Sequence, residues 1–315
     1  MRKGEMCAMN TAVKSTLKMF FAMGTANSVT VYSQKHLDAL DICRNSTQKL
    51  HKMMSAFDPS SEVSNINANA GLKAVTVSSD LFYLINRCIG YSEKTGGRFD
   101  ITSGPAAMLW KKAIKSGVLP NKEEIKKAAS RIGYRNIITE ENPQRIGLNH
   151  KGQTIDLGGI GKGYAADQTK IILCEHGVDN ALINLGGTVI VLGKPQKVGI
   201  RDPFSKDGRA FGSLEISNKA VVTSGYYEQC TLIGGKLYHH IIDPVSGVPS
   251  EPLFAGITLV GDSAEQLDAY STALFCMTAK EAFGFVRENG IDAVFVTHDR
   301  NILITDGIKE NYSTL

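Results

Sequence analysis

The sequence predicts an α+β fold with mixed, largely antiparallel sheets and flanking helices, on three observations. Short strand-like runs recur at 20–32, 137–155, 181–192, 197–203, 220–225 and 238–244, and several end in a polar or glycine cluster, as a sheet does where it presents residues at one edge. Windows free of Gly and Pro at 34–57 and 264–277 read as helices. Between these, residues 154–167 set a tight glycine-rich bend between a short apolar run and a segment of helical composition.

Taken in order, Val29 and Val31 alternate with polar neighbours after Met23-Gly24-Thr25. In 34–57, Leu37, Leu40, Leu50, Met53 and Met54 fall near helical spacing, and Asp58-Pro59 stops the helix. The stretch 60–71 is polar, turn-rich and long for a connection, which favours a binding loop or a disordered one. Ser79 is placed to cap a second helix, which Gly96-Gly97 ends. Asn121 with Glu124 marks a helix start, and 137–155 follows as strands with turns at Asn142-Pro143 and Lys151-Gly152. Residues 181–192 read as two buried strands around a glycine bend. Ser263 with Gln266 spells a capping box, and Thr278 with Glu281 a second one for a helix closing at Gly290. A hairpin, 293–297 and 302–305, turns around Asp299-Arg300.

At 315 residues the chain suits one large domain or two, and 43% hydrophobic content is ordinary for a packed protein. The net charge of +4 is carried in short runs such as Lys111-Lys112 and Lys126-Lys127, which read as solvated helix faces and leave no nucleic-acid footprint. Six cysteines, Cys7, Cys43, Cys88, Cys174, Cys230 and Cys276, lie far apart without zinc spacing and read as reduced core thiols. The apolar run 19–23 is too short for a signal-peptide core or a membrane span, and Cys7 follows no apolar stretch of the kind a lipoprotein signal needs. The chain as given reads as soluble and cytoplasmic, as would one shorn of its leader.

The candidate chemistry centres on Thr154-Ile-Asp-Leu-Gly-Gly-Ile-Gly-Lys-Gly-Tyr-Ala-Ala-Asp167. A strand end, a glycine turn and a helix N-terminus make an anion site, because orphan N–H groups and the helix dipole point at one spot; a structural turn is the alternative. A P-loop needs Ser or Thr after Gly-Lys, where Gly163 stands. The dinucleotide fingerprint also fails, since the glycines fall at Gly159, Gly161 and Gly163. Asp268, Ser271 and Thr272 stand at i, i+3 and i+4, on one helix face. A carboxylate on such a partly buried helix is paired, solvated or bound to a cation, and hard oxygen donors suit magnesium; hydroxyls back-bonding to the helix are the alternative. Asp100 and Thr102, in the polar cluster 97–105, face a ligand or close a turn. His239 and His240 are structural, or serve acid-base chemistry or phosphate contact.

Eight segments then fall in the order and spacing of a known family: Met23-Gly24-Thr25, Phe57-Asp-Pro-Ser-Ser-Glu62, Phe99-Asp-Ile-Thr-Ser-Gly-Pro105, Asp156-Leu-Gly-Gly-Ile-Gly-Lys-Gly-Tyr164, Asn184-Leu-Gly-Gly187, Thr223-Ser-Gly225, His240-Ile-Ile-Asp-Pro244 and Asp268-Ala-Tyr-Ser-Thr-Ala-Leu274. Over residues 19 to 305 the chain resembles the FAD:protein FMN transferases, the ApbE-type flavin transferases. The resemblance implies an ApbE-like, T-fold-related architecture: an N-terminal extension, 1–18, without structure of its own, and a transferase domain, 19–315, with two subdomains around a central FAD site. It implies a Mg2+-dependent enzyme that cleaves FAD and attaches FMN through a phosphoester to a Thr or Ser of an acceptor flavoprotein, releasing AMP.

Carried over by position, Met23, Phe57, Phe99, Asp100, Ile101, Thr102, Asp156, Lys162 and Ile242 line the FAD site. The Gly159 carbonyl, Asp268 and Thr272 hold the magnesium with Ser271 beside them, and His240 joins Asp268 as the catalytic pair. His240 takes the acceptor's proton or stabilises the phosphate. Water in place of the acceptor would make the chain an FAD pyrophosphatase, and loss of chemistry a flavin-binding protein. Three departures stand out: Gly161 where many members have Ala, Ala26-Asn27 where an aromatic is expected, and no lipoprotein signal. The partners implied are FAD and the acceptor, with no nucleic acid and no membrane span; lacking a Ser/Thr-Gly-Ala-Ser/Thr segment, the chain is not expected to flavinylate itself.

Overall fold

A computed structural model of the chain describes residues 15–33, 35–205, 207–225 and 230–315. Cys7 and most of the expected N-terminal extension lie outside the described residues. The fold starts with a hairpin, β1 (Thr16–Ala22) and β2 (Thr25–Val31), so the run 20–32 is the end of one strand and the whole of the next. Met23 and Gly24 turn it with φ of 55° and 73°, the left-handed pair that a two-residue hairpin needs. Asn27, where the family resemblance called for an aromatic, is buried and donates from Nδ2 to the Ala22 and Thr25 carbonyls, both at 3.1 Å. The departure therefore latches the turn that carries Met23.

Helix α1 (Asp38–Met54) buries Leu40, Leu50, Met53 and Met54. The stretch expected to be a binding or disordered loop contains helix α2 (Glu62–Ala68). Ser61 caps it by accepting from the Ser64 amide, and Val63 and Ile66 are buried. The polar composition concealed a helix because its asparagines are used structurally: Asn67 exchanges two hydrogen bonds with the Ile155 backbone, at 3.0 and 2.8 Å. Asn67 thus does for Ile155 what a neighbouring strand would do, and the run 153–157 leading into the glycine turn is no strand.

Next come β3 (Val75–Thr76), α3 (Ser79–Lys94), α4 (Gly104–Ser116), α5 (Lys122–Ala129), β4 (Ile137–Glu141), β5 (Gln144–Leu148), α6 (Gly161–Glu175), β6 (Ala181–Leu185), β7 (Thr188–Leu192), β8 (Gln196–Arg201), β9 (Ala210–Ile216) and β10 (Lys219–Gly225). After two small hairpins, β11 (Cys230–Ile233) with β12 (Lys236–His239) and β13 (Ile242–Asp243) with β14 (Val248–Pro249), the chain closes with β15 (Phe254–Gly261), α7 (Ala264–Leu274), α8 (Ala279–Glu288), β16 (Asp292–Thr297), β17 (Ile302–Ile304) and β18 (Tyr312–Thr314). Both Asn121/Glu124 and Thr278/Glu281 form the expected reciprocal capping boxes. Ser78, one residue before the expected Ser79, caps α3.

An eight-stranded antiparallel sheet in the order β1-β2-β6-β7-β10-β15-β16-β17 organises the rest. One face packs on α1, α6 and α7 in the main apolar core; the other packs on the small sheet β18-β9-β8 through Val191, Ile200, Leu214 and Val260. Three of the described cysteines, Cys43, Cys88 and Cys276, are buried, but Cys174 and Cys230 are exposed, so the expectation of core thiols holds only in part. No helix among the described residues is long and apolar enough to cross a membrane.

Helices α6 and α7 cross in contact at Gly163. A Cβ there would stand 2.8 Å from the Asp268 Cβ and closer still to the Ala264 carbonyl oxygen. Two carboxylates exploit this approach. Asp268 Oδ2 accepts the Gly163 amide at 2.9 Å, in the first turn of α6. Asp167 of α6 in return accepts the Ala264 and Glu265 amides and the Ser263 hydroxyl, at 2.9 to 3.1 Å, at the start of α7. Ser263 does cap the Gln266 amide, but Asp167 shares the N-terminus with it. Helix α7 is buried on nearly every side, and Leu267 and Leu274 alone contribute about 1.5–3 kcal/mol each by leaving water.

Because backbone atoms block a side chain at Gly163, Gly163→Ala should destabilise the fold by about 1–3 kcal/mol, seen as a lower urea midpoint at unchanged slope. Gly90→Ala, in α3 with nothing within 4 Å of the new methyl, should be neutral or stabilising by up to about 1 kcal/mol in the same titration.

Candidate active site

A cleft opens where the first turn of α6, the middle of α7, the end of β10, the segment into β13 and the connector from α3 to α4 meet. Phe99, Asp100, Ile101, Asp156, Gly159, Lys162, His240, Ile242, Asp268 and Thr272 line it. An adjoining hollow, lined by Met23 and Phe57, shares Asp156, Gly158 and Lys162 with it. The tertiary structure thus gathers residues from seven of the eight segments in which the family resemblance was read. Thr102 and Ser271 line neither hollow.

Thr102 is fully buried. Its hydroxyl donates to Asp100 Oδ1 at 2.6 Å and accepts the Gly133 amide at 2.7 Å. Asp100 also accepts the Thr102 and Tyr134 amides, both at 2.8 Å. Burial raises its carboxyl pKa, and these donors pull the other way. The pair therefore closes a turn and fixes the backbone that presents Phe99 and Ile101 to the cleft, which Asp100 lines as well. Ser271, also fully buried, donates to the Asp268 carbonyl at 3.0 Å and lies 2.8 Å from Ser224 Oγ, which does line the cleft.

Much of the glycine turn's own amide set is already taken within the chain. The amides of Gly158, Ile160, Gly161 and Gly163 are taken by Asp156 Oδ1, by the Leu157 carbonyl twice and by Asp268 Oδ2. The anion expected at the helix N-terminus is the chain's own Asp268 carboxylate. Gly161 is not sterically forced, since a Cβ there would meet the Met54 side chain at an ordinary 3.5 Å, so the family's alanine would fit.

What remains around Asp268 is a set of hard oxygens. Thr272 Oγ1 stands 3.2 Å from where a Gly159 Cβ would be, so the glycine turn and the α7 face touch. The Thr272 hydroxyl donates to the Asp268 carbonyl at 3.1 Å, which leaves its lone pairs for a ligand. Carboxylate and hydroxyl beside a glycine turn, with no sulfur or imidazole among them, match magnesium chemistry, in which few protein ligands are completed by water and phosphate. Among the described residues no three Asp, Glu, His or Cys side chains cluster as a metal site.

The two histidines divide. His239 is buried, its Nδ1 accepts the Ile241 amide at 3.2 Å, and its Nε2 therefore carries the proton it gives to the Ser250 carbonyl at 2.9 Å. Desolvation lowers its pKa to about 4, so it is a neutral structural bracket for the segment into β13. His240, next in sequence, lines the cleft. Cys276 lies behind Ile242, and burial pushes its thiol up to about 12, which removes it as a nucleophile.

Two contributions were missed in the sequence, and a third was read as a motif without a role. Arg98 lines the cleft and donates to Asp243 Oδ1 at 3.3 Å, tying the β13–β14 hairpin to the α3–α4 connector. Thr223, Ser224 and Gly225 line it from the end of β10, where a strand running into a polar cluster was a usable signal. His51 accepts the Met23 amide at 3.2 Å, and nothing in the sequence pairs residues 28 apart.

The model of the ApbE family matches residues 23–295. A Klebsiella pneumoniae protein named FAD:protein FMN transferase is 34% identical over 81% of this chain and 81% of its own length. A Treponema pallidum protein of the same name is 29% identical over 98% of this chain and 92% of its own. Among solved structures, the ApbE protein of Thermotoga maritima superposes with a TM-score of 0.86 at 29% identity, covering 95% of this chain and 99% of that one. The flavin transferase ApbE of Vibrio cholerae, at 22% identity and 0.81 over the same shares, adds evidence of the fold alone. With the family match spanning most of its length, the chain belongs to the ApbE family.

Proposed function

We propose that this chain transfers the FMN part of FAD to a Thr or Ser hydroxyl of an acceptor flavoprotein, in a Mg2+-dependent reaction that releases AMP. The observation that carries the reading is the meeting on one cleft of Lys162, His240 and the oxygens of Asp268, Thr272 and Gly159, in a chain whose relatives are named for this reaction. The acceptor oxygen bonds to the FMN phosphorus while the anhydride oxygen leaves with AMP. Transfer of this kind rests on positioning and charge neutralisation.

Asp268, Thr272 and the Gly159 carbonyl would hold the magnesium, with Ser271 behind them, and the bound ion would neutralise diphosphate charge. Lys162 supplies a second, fixed positive charge. FAD lies along the two joined hollows, with Phe99, Ile101 and Ile242 on one side, Met23 and Phe57 on the other, and Asp156 between. Asp100 stands on the same wall, and Thr102 holds it from behind. His240 takes the proton of the acceptor hydroxyl. Incubation with FAD and Mg2+ tests the reading: AMP formed only with an acceptor supports transfer, AMP without one means a pyrophosphatase, and no AMP in either case means a binding protein.

Asp268→Asn keeps an oxygen for the Gly163 amide but loses the charge, so AMP release should fall by at least about 10²-fold with thermal stability little changed; turnover within a few-fold of wild type would remove Asp268 from the chemistry. His240→Ala should lower turnover and flatten the acid limb of the pH–rate profile; an unaltered profile with substantial activity would contradict its role as base. His239 should act on stability instead. The fold favours its neutral form, so its contribution is present above pH 6.5 and is lost as the pH falls towards 4. The stability gap between wild type and His239→Gln, read by urea titration, should narrow across that window.

A further inference from the structure

The two lysine runs that read separately as solvated helix faces belong to neighbouring helices. Helices α4 and α5 pack together through Ala106, Trp110, Ala113 and Ala128, and Trp110 Nε1 anchors the pair by donating to the Gly247 carbonyl at 2.9 Å. With those faces turned inward, Lys111, Lys112 and Lys115 of α4 and Lys122, Lys126 and Lys127 of α5 are all exposed. None of the six is within 4.0 Å of a carboxylate among the described residues. Residues 104–136 hold eight Lys and Arg against two Glu, a net +6 in a chain whose total is +4, so all its excess positive charge sits here.

Helix electrostatics account for half of these lysines. Lys115, Lys126 and Lys127 lie in last turns, where a cation suits the helix dipole. Lys111 and Lys112 lie mid-helix, and Lys122 opens α5 at the end where a cation is disfavoured. Large apolar side chains stand exposed among them: Met108 at 59% and Val118 at 68%. The patch also begins at the cleft. Ala107 lines the cleft, Lys111 follows one helical turn on, and its Nζ lies 4.7 Å from the ring centre of Phe57 on the adjoining hollow.

We propose that the outer face of α4 and α5 is a docking surface for an acidic protein surface, that of the acceptor whose hydroxyl enters the cleft. This rests on the transferase reading. A protein acceptor must touch the enzyme beside the cleft mouth, and the patch supplies there what an acidic partner needs: clustered cations without internal carboxylate partners, and apolar side chains between them. Charges of this kind act mainly on the rate of encounter and are screened by salt. A bilayer would serve the charge but gives no reason for the patch to run into the active-site mouth.

The test uses the full chain, its Lys112→Glu/Lys115→Glu/Lys126→Glu variant, and two fluorescein-labelled peptides, each with a central threonine and flanked by either aspartates or asparagines. By anisotropy, wild type should bind the aspartate peptide at least about tenfold more tightly than the asparagine one, the preference should fade by about 0.5 M NaCl, and the triple variant should lose it. Equal binding of the two peptides, or a preference kept by the variant, overturns the proposal. Sedimentation of wild type but not variant with vesicles rich in anionic phospholipid, without a peptide preference, overturns it in favour of a membrane. FAD binding should be equal in both proteins, since none of the three lysines lines the cleft. Anisotropy does not depend on turnover, so absence of FMN transfer or AMP release from wild type would count against the transferase reading and leave the docking result separately legible.

Discussion

The exchange of carboxylates between α6 and α7 is the constraint from which the rest of the structure follows. Each helix starts with amides that its own turns cannot satisfy. Asp268 answers the Gly163 amide of α6, and Asp167 the Ala264 and Glu265 amides of α7, at distances of 2.9 to 3.1 Å. Neither carboxylate reaches unless the helices touch, and they touch because Gly163 has no side chain. The same contact sets Asp268 on the cleft wall beside the glycine turn. Glu265, whose amide Asp167 accepts, pairs through its carboxylate with Arg87 at 2.9 Å and Tyr91 at 2.8 Å and fixes the start of α7 to α3 as well.

Around that contact the site is assembled from pieces that are each held from behind. Asp100 and Thr102 hold the connector bearing Phe99 and Ile101, His239 holds the segment bearing His240, and Ser271 holds Ser224. A reaction governed by placement of charge around a diphosphate gains from such rigidity, because misplacement by an ångström can cost about 10²-fold in rate. The cleft also lies beside the lysine-rich face of α4 and α5, so the proposed chemistry and the proposed docking share one edge of the molecule.

Strong local signals were legible. The capping boxes at Asn121 and Thr278, the paired strands of 181–192 and the closing hairpin are encoded within a few residues and appear where read. Errors arose where a residue type serves two purposes. Asparagines in 60–71 read as a loop, yet Ser61 caps a helix there and Asn67 takes the place of a strand partner. The glycine turn read as an anion site, and one carboxylate at its helix terminus comes from 105 residues away in sequence. Of two adjacent histidines, nothing local told which was turned inward.

By itself the sequence determined which family of side chains meets, since eight spaced segments specify a lineage, and it determined the helices and hairpins whose caps and turns are built from neighbours. Tertiary structure decided what each of those side chains faces. It turned Thr102 and Ser271 away from the cleft and left Asp100 on its wall, made His239 a bracket, gave Asp268 both a helix terminus and the cleft, and set two separate lysine runs on one surface. Hydrogen-bond partners and exposure are relations between segments far apart in the chain, and they exist only once the segments have packed.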